Sequence, residues 1–188
     1  MNKRQKESLI WSLVGLFILL CIGVVVYFII NGFGFNSYIN QNAGFKISYP
    51  KNWEVRENPE EGALVAFVSP SDGELDIFRE NLAIMLQDIS SNPMTFNKYT
   101  QLAINQLTSA GQIINVISSN PILVGGKDGH EFIYQIKTQQ LDIQLLHVWV
   151  MEGNRVFQMN FASTAAQFDL YKDTVHKIIN SFRLIKHD

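Results

Sequence analysis

An uncharged apolar run near the N-terminus is the sequence feature that most restricts how this chain can fold. Residues 9–30 read LIWSLVGLFILLCIGVVVYFII and contain no charged side chain. As a helix rising ~1.5 Å per residue, this run is long enough to cross a hydrocarbon layer ~30 Å thick. Trp11 near one end and Tyr27 near the other suit the two membrane interfaces. The sequence therefore predicts one transmembrane helix over residues 9–30.

The charges on either side of this run predict its orientation. Lys3, Arg4 and Lys6 lie in the preceding residues 1–8, and no basic residue follows the run until Lys46. Because positively charged flanks stay in the cytoplasm, we expect a cytoplasmic N-terminus and an extracytoplasmic C-terminal domain at the cell membrane. The run is longer than the apolar part of a signal peptide and no small-residue cleavage site closes it, so the sequence predicts an uncleaved signal anchor.

The single cysteine, Cys21, lies inside the apolar run. A lipoprotein cysteine follows a small residue at a cleavage site, whereas Leu20 precedes Cys21 and more apolar residues follow it. We interpret Cys21 as a small residue packed within the membrane helix. The C-terminal domain therefore has neither a disulfide nor a thiolate metal ligand, and its stability depends on its core.

The rest of the chain has the length of one domain. Residues 31–42 are uncharged and rich in Gly and Asn, which predicts a juxtamembrane linker, and residues 43–188 form the predicted extracytoplasmic domain. A domain of about 150 residues buries most of the apolar surface of its unfolded chain. The formal charge of -2, from 15 basic and 17 acidic residues, argues against nucleic-acid binding, which needs clustered Lys and Arg.

Alternating apolar side chains predict a sheet through most of this domain. Phe45, Ile47 and Tyr49 alternate with polar residues, which is the pattern of a half-buried strand, and Trp53 and Val55 continue it beyond a turn. The same pattern predicts strands over residues 63–68, 81–87, 114–118, 122–124, 130–136, 143–151 and 156–162.

Two amphipathic helices are predicted to flank this sheet. Thr95 can cap the first helix, which Gly111 ends, and Thr164 with Gln167 fits a capping box that opens the second. Their apolar stripes repeat at spacings of three and four: Phe96, Tyr99, Ala103, Leu107 and Ala110, then Phe168, Tyr171, Val175, Ile178 and Phe182. A largely antiparallel sheet flanked by two helices buries all these faces, so the predicted class is α+β.

Several stretches of the domain resemble the PsbP family and its wider Mog/PsbP-like fold. They are GFKISYPKNWEV at 44–55, the strand from Asn81, the helix ending near Gly111, GGKDGHEFIYQI at 125–136 and YKDTVHKIINSFRL at 171–184. The resemblance covers nearly all of residues 43–186. It implies an extracytoplasmic or lumenal protein that is not an enzyme.

The best-known members of that family attach to photosystem II and help to retain its calcium and chloride. This chain differs from the plant protein by its predicted anchor and has no clear equivalent of the long N-terminal arm used in docking. The resemblance therefore implies a binding or assembly role, without a photosystem as the necessary partner.

One tight group of side chains could ligate a metal. It consists of Asp128, His130 and Glu131, and His147 could lie nearby if its strand pairs with the strand of His130. Because successive residues of a strand face opposite sides, Glu131 should point away from the other two. A turn aspartate followed by an edge-strand histidine explains the pattern, so no metal site is predicted.

The remaining candidates also have structural explanations. His176 is expected on the last helix near the solvent-facing Asp169 and Asp173, and His187 at the terminus. Ser163 and Thr164 fit a helix cap better than a nucleophile. The acidic residues at 57–61 and 72–80 match no calcium-loop spacing, and the sequence has no nucleophile elbow, phosphate-binding loop or dinucleotide fingerprint. No catalytic, cofactor-binding or metal-binding residue is predicted.

These observations favour a membrane-anchored binding or assembly module that acts on a membrane-protein complex and is not an enzyme. One alternative is a domain that binds a small ligand or an ion in a pocket between sheet and helix. A second alternative is an enzyme of an unrecognised type, although no set of polar residues is predicted to converge.

Overall fold

A computed structural model describes residues 17–23, 34–59, 62–74, 76–109, 113–138 and 140–185. The chain divides into two compact units, residues 1–36 with 50–52 and residues 37–49 with 53–188. In the first unit residues 17–23 are helical, and the rest of the predicted transmembrane run 9–30 lies outside the described residues. Among the described helices, none has the length and apolarity needed to span a membrane. The anchor stays a prediction.

From Phe35 to Leu184 the described residues form strands arranged in two sheets and two longer helices. The strands are β1 (Phe35–Asn40), β2 (Phe45–Pro50), β3 (Glu54–Glu57), β4 (Val65–Val68), β5 (Asn81–Asp88), β6 (Ile113–Val124), β7 (Lys127–Lys137), β8 (Asp142–Glu152), β9 (Arg155–Thr164) and β10 (Arg183–Leu184). The helices are α1 (Phe96–Ser109) and α2 (Phe168–Asn180).

The larger sheet has seven strands in the order β3-β4-β5-β9-β8-β7-β6, and the smaller has the order β1-β2-β10. All neighbours in the larger sheet pair antiparallel. Strands β6 to β9 follow one another as hairpins, so their registers are set by short turns. This arrangement confirms the α+β class and the antiparallel sheet.

Helix α2 and the smaller sheet cover one face of the larger sheet. Phe45 of β2 stacks on Phe182 at a centroid distance of 5.6 Å, and Phe182 also contacts Phe157 of β9 at 5.4 Å. Trp53 is 6% exposed and meets Tyr171 of α2 edge-on at 6.1 Å. The large aromatic side chains thus join both sheets and α2 in one core.

Helix α1 covers part of the opposite face. Its Tyr99 is buried in a second apolar cluster with Phe132 and Tyr134 of β7 and Trp149 of β8. The helix begins as predicted, because the Oγ1 atom of Thr95 accepts the Lys98 N–H at 3.3 Å. Residues 110–112, including the predicted end of the helix, lie outside the described residues.

Three sequence predictions need correction. The predicted linker 31–42 contains strand β1, which pairs with β2. The two short strands predicted between residues 114 and 124 are one strand, β6, with register shifts at 113/115 and 116/118. The predicted capping box is wrong, because Gln167 occupies the N-cap position of α2 without a side-chain capping bond. Thr164 is still the last residue of β9 and is therefore too far from the helix to cap it.

The turn between β6 and β7 explains two glycines. Gly125 and Gly126 have φ angles of 61° and 82°, as a two-residue type I′ turn requires. A Cβ atom on Gly125 would lie 2.6 Å from the carbonyl oxygen of Phe182, whereas a Cβ on Gly126 would contact nothing within 4 Å. Only glycine at 125 allows this close approach to the chain entering β10.

Candidate binding sites

A groove lies on the larger sheet beside the part that α1 covers. Its volume is about 930 Å³, and strands β4, β5 and β9 supply much of its lining. Ala66 pairs with Ala83, and Ala83 pairs with Asn160, so these three side chains form a row across adjacent strands. Because two of them are alanines, the sheet surface is left open there.

Asn160 lines this groove from β9 and carries a buried polar atom. Its Nδ2 atom donates to the Met85 sulfur at 3.4 Å, while its Oδ1 atom is buried and has no hydrogen-bond partner among the described residues. Buried polar atoms in folded proteins are nearly always hydrogen-bonded. Because this atom has almost no exposed surface, it is not an acceptor that the open groove presents to a ligand.

The two arginines that line the groove are paired with one carboxylate. Arg79 donates to Glu54 at 2.9 Å, and Arg56 donates to the same carboxylate at 2.9 Å. Hydrogen bonds from Arg56 and then Arg79 lower the pKa of Glu54 to about 2. Ile77, on the loop beside these residues, is 75% exposed. The groove thus offers apolar contact without a free cation from this pair of arginines.

A hydrogen-bonded row links Tyr99 of α1 to strands β5, β8 and β9. His147 Nε2 donates to Gln158 Oε1 at 3.2 Å, Gln158 Nε2 donates to the Tyr99 hydroxyl at 2.8 Å, and that hydroxyl donates to Gln87 Oε1 at 2.8 Å. Burial lowers the pKa of His147 to about 4, although its bond to Gln158 opposes this shift. His147 is therefore neutral at physiological pH and has its hydrogen-bond donor engaged.

The predicted metal-ligand group does not converge. His130 bonds to Ser119 Oγ at 2.8 Å and stacks on Trp149 at 5.1 Å, and burial lowers the pKa of His130. Asp128 is exposed and is the second residue of β7, so it lies outside the Gly125–Gly126 turn. The strands of His130 and His147 do pair, with His147 opposite Phe132.

Glu131 points to the other face of the sheet, as strand alternation requires. Its Oε2 atom lies 2.7 Å from Nε2 of His176 on α2, and Glu131 is only 9% exposed. His176 therefore lies on the side of α2 that contacts the sheet, and not on the side of the solvent-facing acidic residues. Sequence periodicity placed both residues on the correct elements but did not reveal that they pair.

The other predicted candidates have local bonds. Ser163 Oγ donates to the Thr164 carbonyl at 2.8 Å, and Ser69 Oγ donates to the buried Glu80 at 3.0 Å. Asp76 accepts the N–H groups of Asp72 and Phe78 at 3.0 and 3.2 Å, which shapes the acidic loop. Within the described residues, no three His, Cys, Asp or Glu side chains are placed to hold a metal ion. His187 lies outside the described residues.

Strand β6 presents an open edge of the larger sheet. It is twelve residues long and carries no charged side chain, and Val116, Ile117 and Leu123 are 46%, 45% and 66% exposed. The opposite edge, β3, is four residues long and reads EVRE. Short, charged edges discourage strand pairing, whereas a long uncharged edge allows it. Strand β3 is therefore the short, charged edge, and β6 is the long, uncharged edge, which also carries two register shifts and Pro121.

Residues 33–184 match the family model described as PsbP. The chain belongs to the PsbP family. This confirms the resemblance seen in the sequence and extends the PsbP match upstream of residue 43, the predicted start of the domain. No curated protein matches the chain.

The solved structures that share the fold of this PsbP-family chain include the following two. Cyanobacterial PsbP (CyanoP) from Synechocystis sp. PCC 6803 is 17% identical with a TM-score of 0.59, over 81% of this chain and 95% of its own. LpqN of Mycobacterium tuberculosis, described as involved in cell envelope biogenesis, is 12% identical with a TM-score of 0.61, over 82% of this chain and 87% of its own. At these identities the similarity shows the fold alone.

Proposed function

We propose that this chain is a single-pass membrane protein whose PsbP-like domain binds a membrane-protein partner at the extracytoplasmic surface without catalysing a reaction. The observation that supports this function best is that the PsbP match begins at residue 33, directly after the uncharged apolar run 9–30. Residues 1–8 would lie in the cytoplasm, and the run 9–30 would be the anchor. The envelope role stated for LpqN supports such a location.

The edge of β6 is the proposed partner surface. The backbone groups of an edge strand that face away from the sheet can pair with an extended segment of another protein. Exposed Val116 and Ile117 add apolar contacts, and the absence of charge on β6 removes a common barrier to strand addition. Pro121 has no N–H donor, which limits the paired segment to the part of β6 that precedes it.

The anchor would strengthen weak binding at this edge. A domain tethered to the membrane meets a membrane partner at a high effective concentration, so a short paired segment can suffice. None of the side-chain arrangements described above needs a catalytic role to explain it. Asp128 is exposed, and His130 is engaged with Ser119 and Trp149.

Affinity purification through the intact full-length chain tests this function. Val116→Lys combined with Ile117→Lys should abolish recovery of the membrane-protein partner, because charged edge residues disfavour strand pairing. Leu170→Lys is the matched control, since Leu170 is 75% exposed and belongs to α2 instead of β6. It should leave recovery unchanged.

The same purification tests the candidate metal-ligand residues Asp128 and His130. Asp128→Asn with His130→Gln should leave partner recovery and folding nearly unchanged. Elemental analysis of both proteins is the second measurement. Stoichiometric metal in the wild type that is lost in this double variant would replace the binding-module proposal with a metal-dependent one.

A further inference from the structure

A second pocket lies beside the turn between β1 and β2 and shares no lining residue with the groove on β4, β5 and β9. Its volume is about 480 Å³, within the range of roughly 300–1,000 Å³ that is usual for small-molecule sites. Four amide side chains line it: Asn40, Gln41, Asn42 and Asn58. Because the last three are exposed, a molecule in solvent can reach groups that both donate and accept hydrogen bonds.

Tyr38 and Glu57 add a hydroxyl and a carboxylate to this lining. Burial raises the pKa of the Tyr38 hydroxyl, the adjacent Glu57 carboxylate raises it further, and a hydrogen bond with Asn40 opposes the shift. The hydroxyl therefore keeps its proton at physiological pH. Leu64 and Leu86 supply apolar surface beside these polar groups.

Specific hydrogen bonds hold the backbone around the pocket. Asn40 Oδ1 accepts the Ala43 N–H at 2.9 Å, and Arg155 donates to the Ala43 carbonyl at 3.1 Å. Among the described residues, Asn58 is the only non-glycine residue with a positive φ, 44°, and its N–H donates to the Leu64 carbonyl at 3.0 Å. Such left-handed residues persist where the surrounding structure fixes them, and they are frequent at ligand sites.

The chemistry of the lining restricts the class of ligand. No basic side chain is among the described residues that line the pocket, so an anion would have no cation to pair with. A cationic ligand could pair with Glu57, but this residue is exposed, and exposed ion pairs contribute little. An ammonium group also cannot accept from the amide N–H donors. A hydroxyl group both donates and accepts, so it can bond to the amides and to the carboxylate.

We propose that this pocket binds an uncharged saccharide whose hydroxyl groups bond to the amides of Asn42 and Asn58 and to the Glu57 carboxylate. The apolar face of the sugar ring lies on Leu64 and Leu86. This site includes no residue of β6 and does not depend on the proposed protein partner.

Binding is tested with the full-length chain in phosphatidylcholine nanodiscs by saturation-transfer NMR titration, with empty nanodiscs as the blank. The uncharged probes are cellobiose, maltose and N,N′-diacetylchitobiose. Chitobiose, which carries free amino groups, tests for a cationic ligand, and N-acetyl-trialanine amide tests for a peptide. The wild type should bind at least one uncharged disaccharide more tightly than it binds either of these two comparison compounds.

Variants locate this binding. Asn58→Gly removes one amide while glycine tolerates the left-handed backbone, and Asn42→Ala removes a second amide. Each should weaken saccharide binding roughly two- to tenfold, as expected for one lost hydrogen bond. Asn105→Ala removes an exposed amide of α1 that does not line the pocket, and it should leave binding unchanged. A cooperative thermal melt verifies the fold of each variant, and if one pocket variant does not fold, the other decides.

Three results would overturn the proposal. They are the absence of binding of all three uncharged disaccharides to the wild type, tighter binding of chitobiose or the peptide, and a saccharide affinity that is unchanged in both pocket variants. Failure of this experiment leaves partner recovery through β6 untouched, so the two proposals are tested separately.

Discussion

Mild acid is expected to destabilise the domain through His147. Burial lowers its pKa from an ordinary 6.5 to about 4. The unfolded chain therefore takes up a proton near pH 6.5, while the folded domain stays neutral at this position until about pH 4. The stabilising contribution is complete above pH 6.5 and decreases as the pH falls toward 4. With these two pKa values, proton linkage gives a loss of about 2 kcal/mol between about pH 7.5 and about pH 5.

The assay compares the wild type with His147→Gln by urea denaturation, using a soluble fragment that begins at residue 34 so that β1 is kept. Burial also lowers the pKa of His130, so both proteins retain some pH dependence and their difference isolates His147. Glutamine can still donate to Gln158. The wild type should lose about 2 kcal/mol more than the variant over this interval. Parallel stability curves for the two proteins would refute the burial argument.

Two further changes test the core and the β6–β7 turn. Trp53→Ala should cost about 3–5 kcal/mol, because Trp53 is buried against Tyr171, and a harmless substitution in denaturant melts would contradict that packing. Gly126→Ala should cost about 1–2 kcal/mol for its positive φ, and Gly125→Ala should cost more because its Cβ would strike the Phe182 carbonyl. Equal melting temperatures for these two variants would show that the Phe182 carbonyl does not lie close to residue 125.

Side-chain alternation predicted the central hairpins well because their strands have a buried and a less buried face. Residues 143–151 and 156–162 were predicted as strands, and the structure has β8 at Asp142–Glu152 and β9 at Arg155–Thr164. Buried positions alternate regularly along β9, which is the condition under which the period of two is informative.

Edge strands were harder to predict because they lack a continuous buried face. Strand β1, with the sequence FNSYIN, is mostly exposed, and Tyr38 is the residue that packs on Phe45 and Phe67. In β6 the Ser-Ser-Asn-Pro sequence at 118–121 indicates a turn, yet an edge strand tolerates proline. Neither strand has a continuous buried face from which alternation could be read.

The groove could not be predicted because its members come from distant parts of the chain. Ala66, Ala83 and Asn160 meet only through the registers of β4, β5 and β9. The pairing of Glu131 with His176 likewise depends on how α2 lies on the sheet. Each of these residues has an ordinary place in its own strand or helix, so the local sequence does not indicate that they meet.

Photo-crosslinking in intact cells tests most directly whether β6 holds a membrane-protein partner outside the cytoplasm. A photoreactive amino acid replaces Val116 in the full-length chain, and the same residue at Leu170 on α2 is the control for exposure. We expect a discrete crosslink from position 116 to an extracytoplasmic segment of a membrane protein, lost with Ile117→Lys and absent from position 170. A crosslink to a cytoplasmic protein, or a partner captured from position 170 and not from 116, would contradict it.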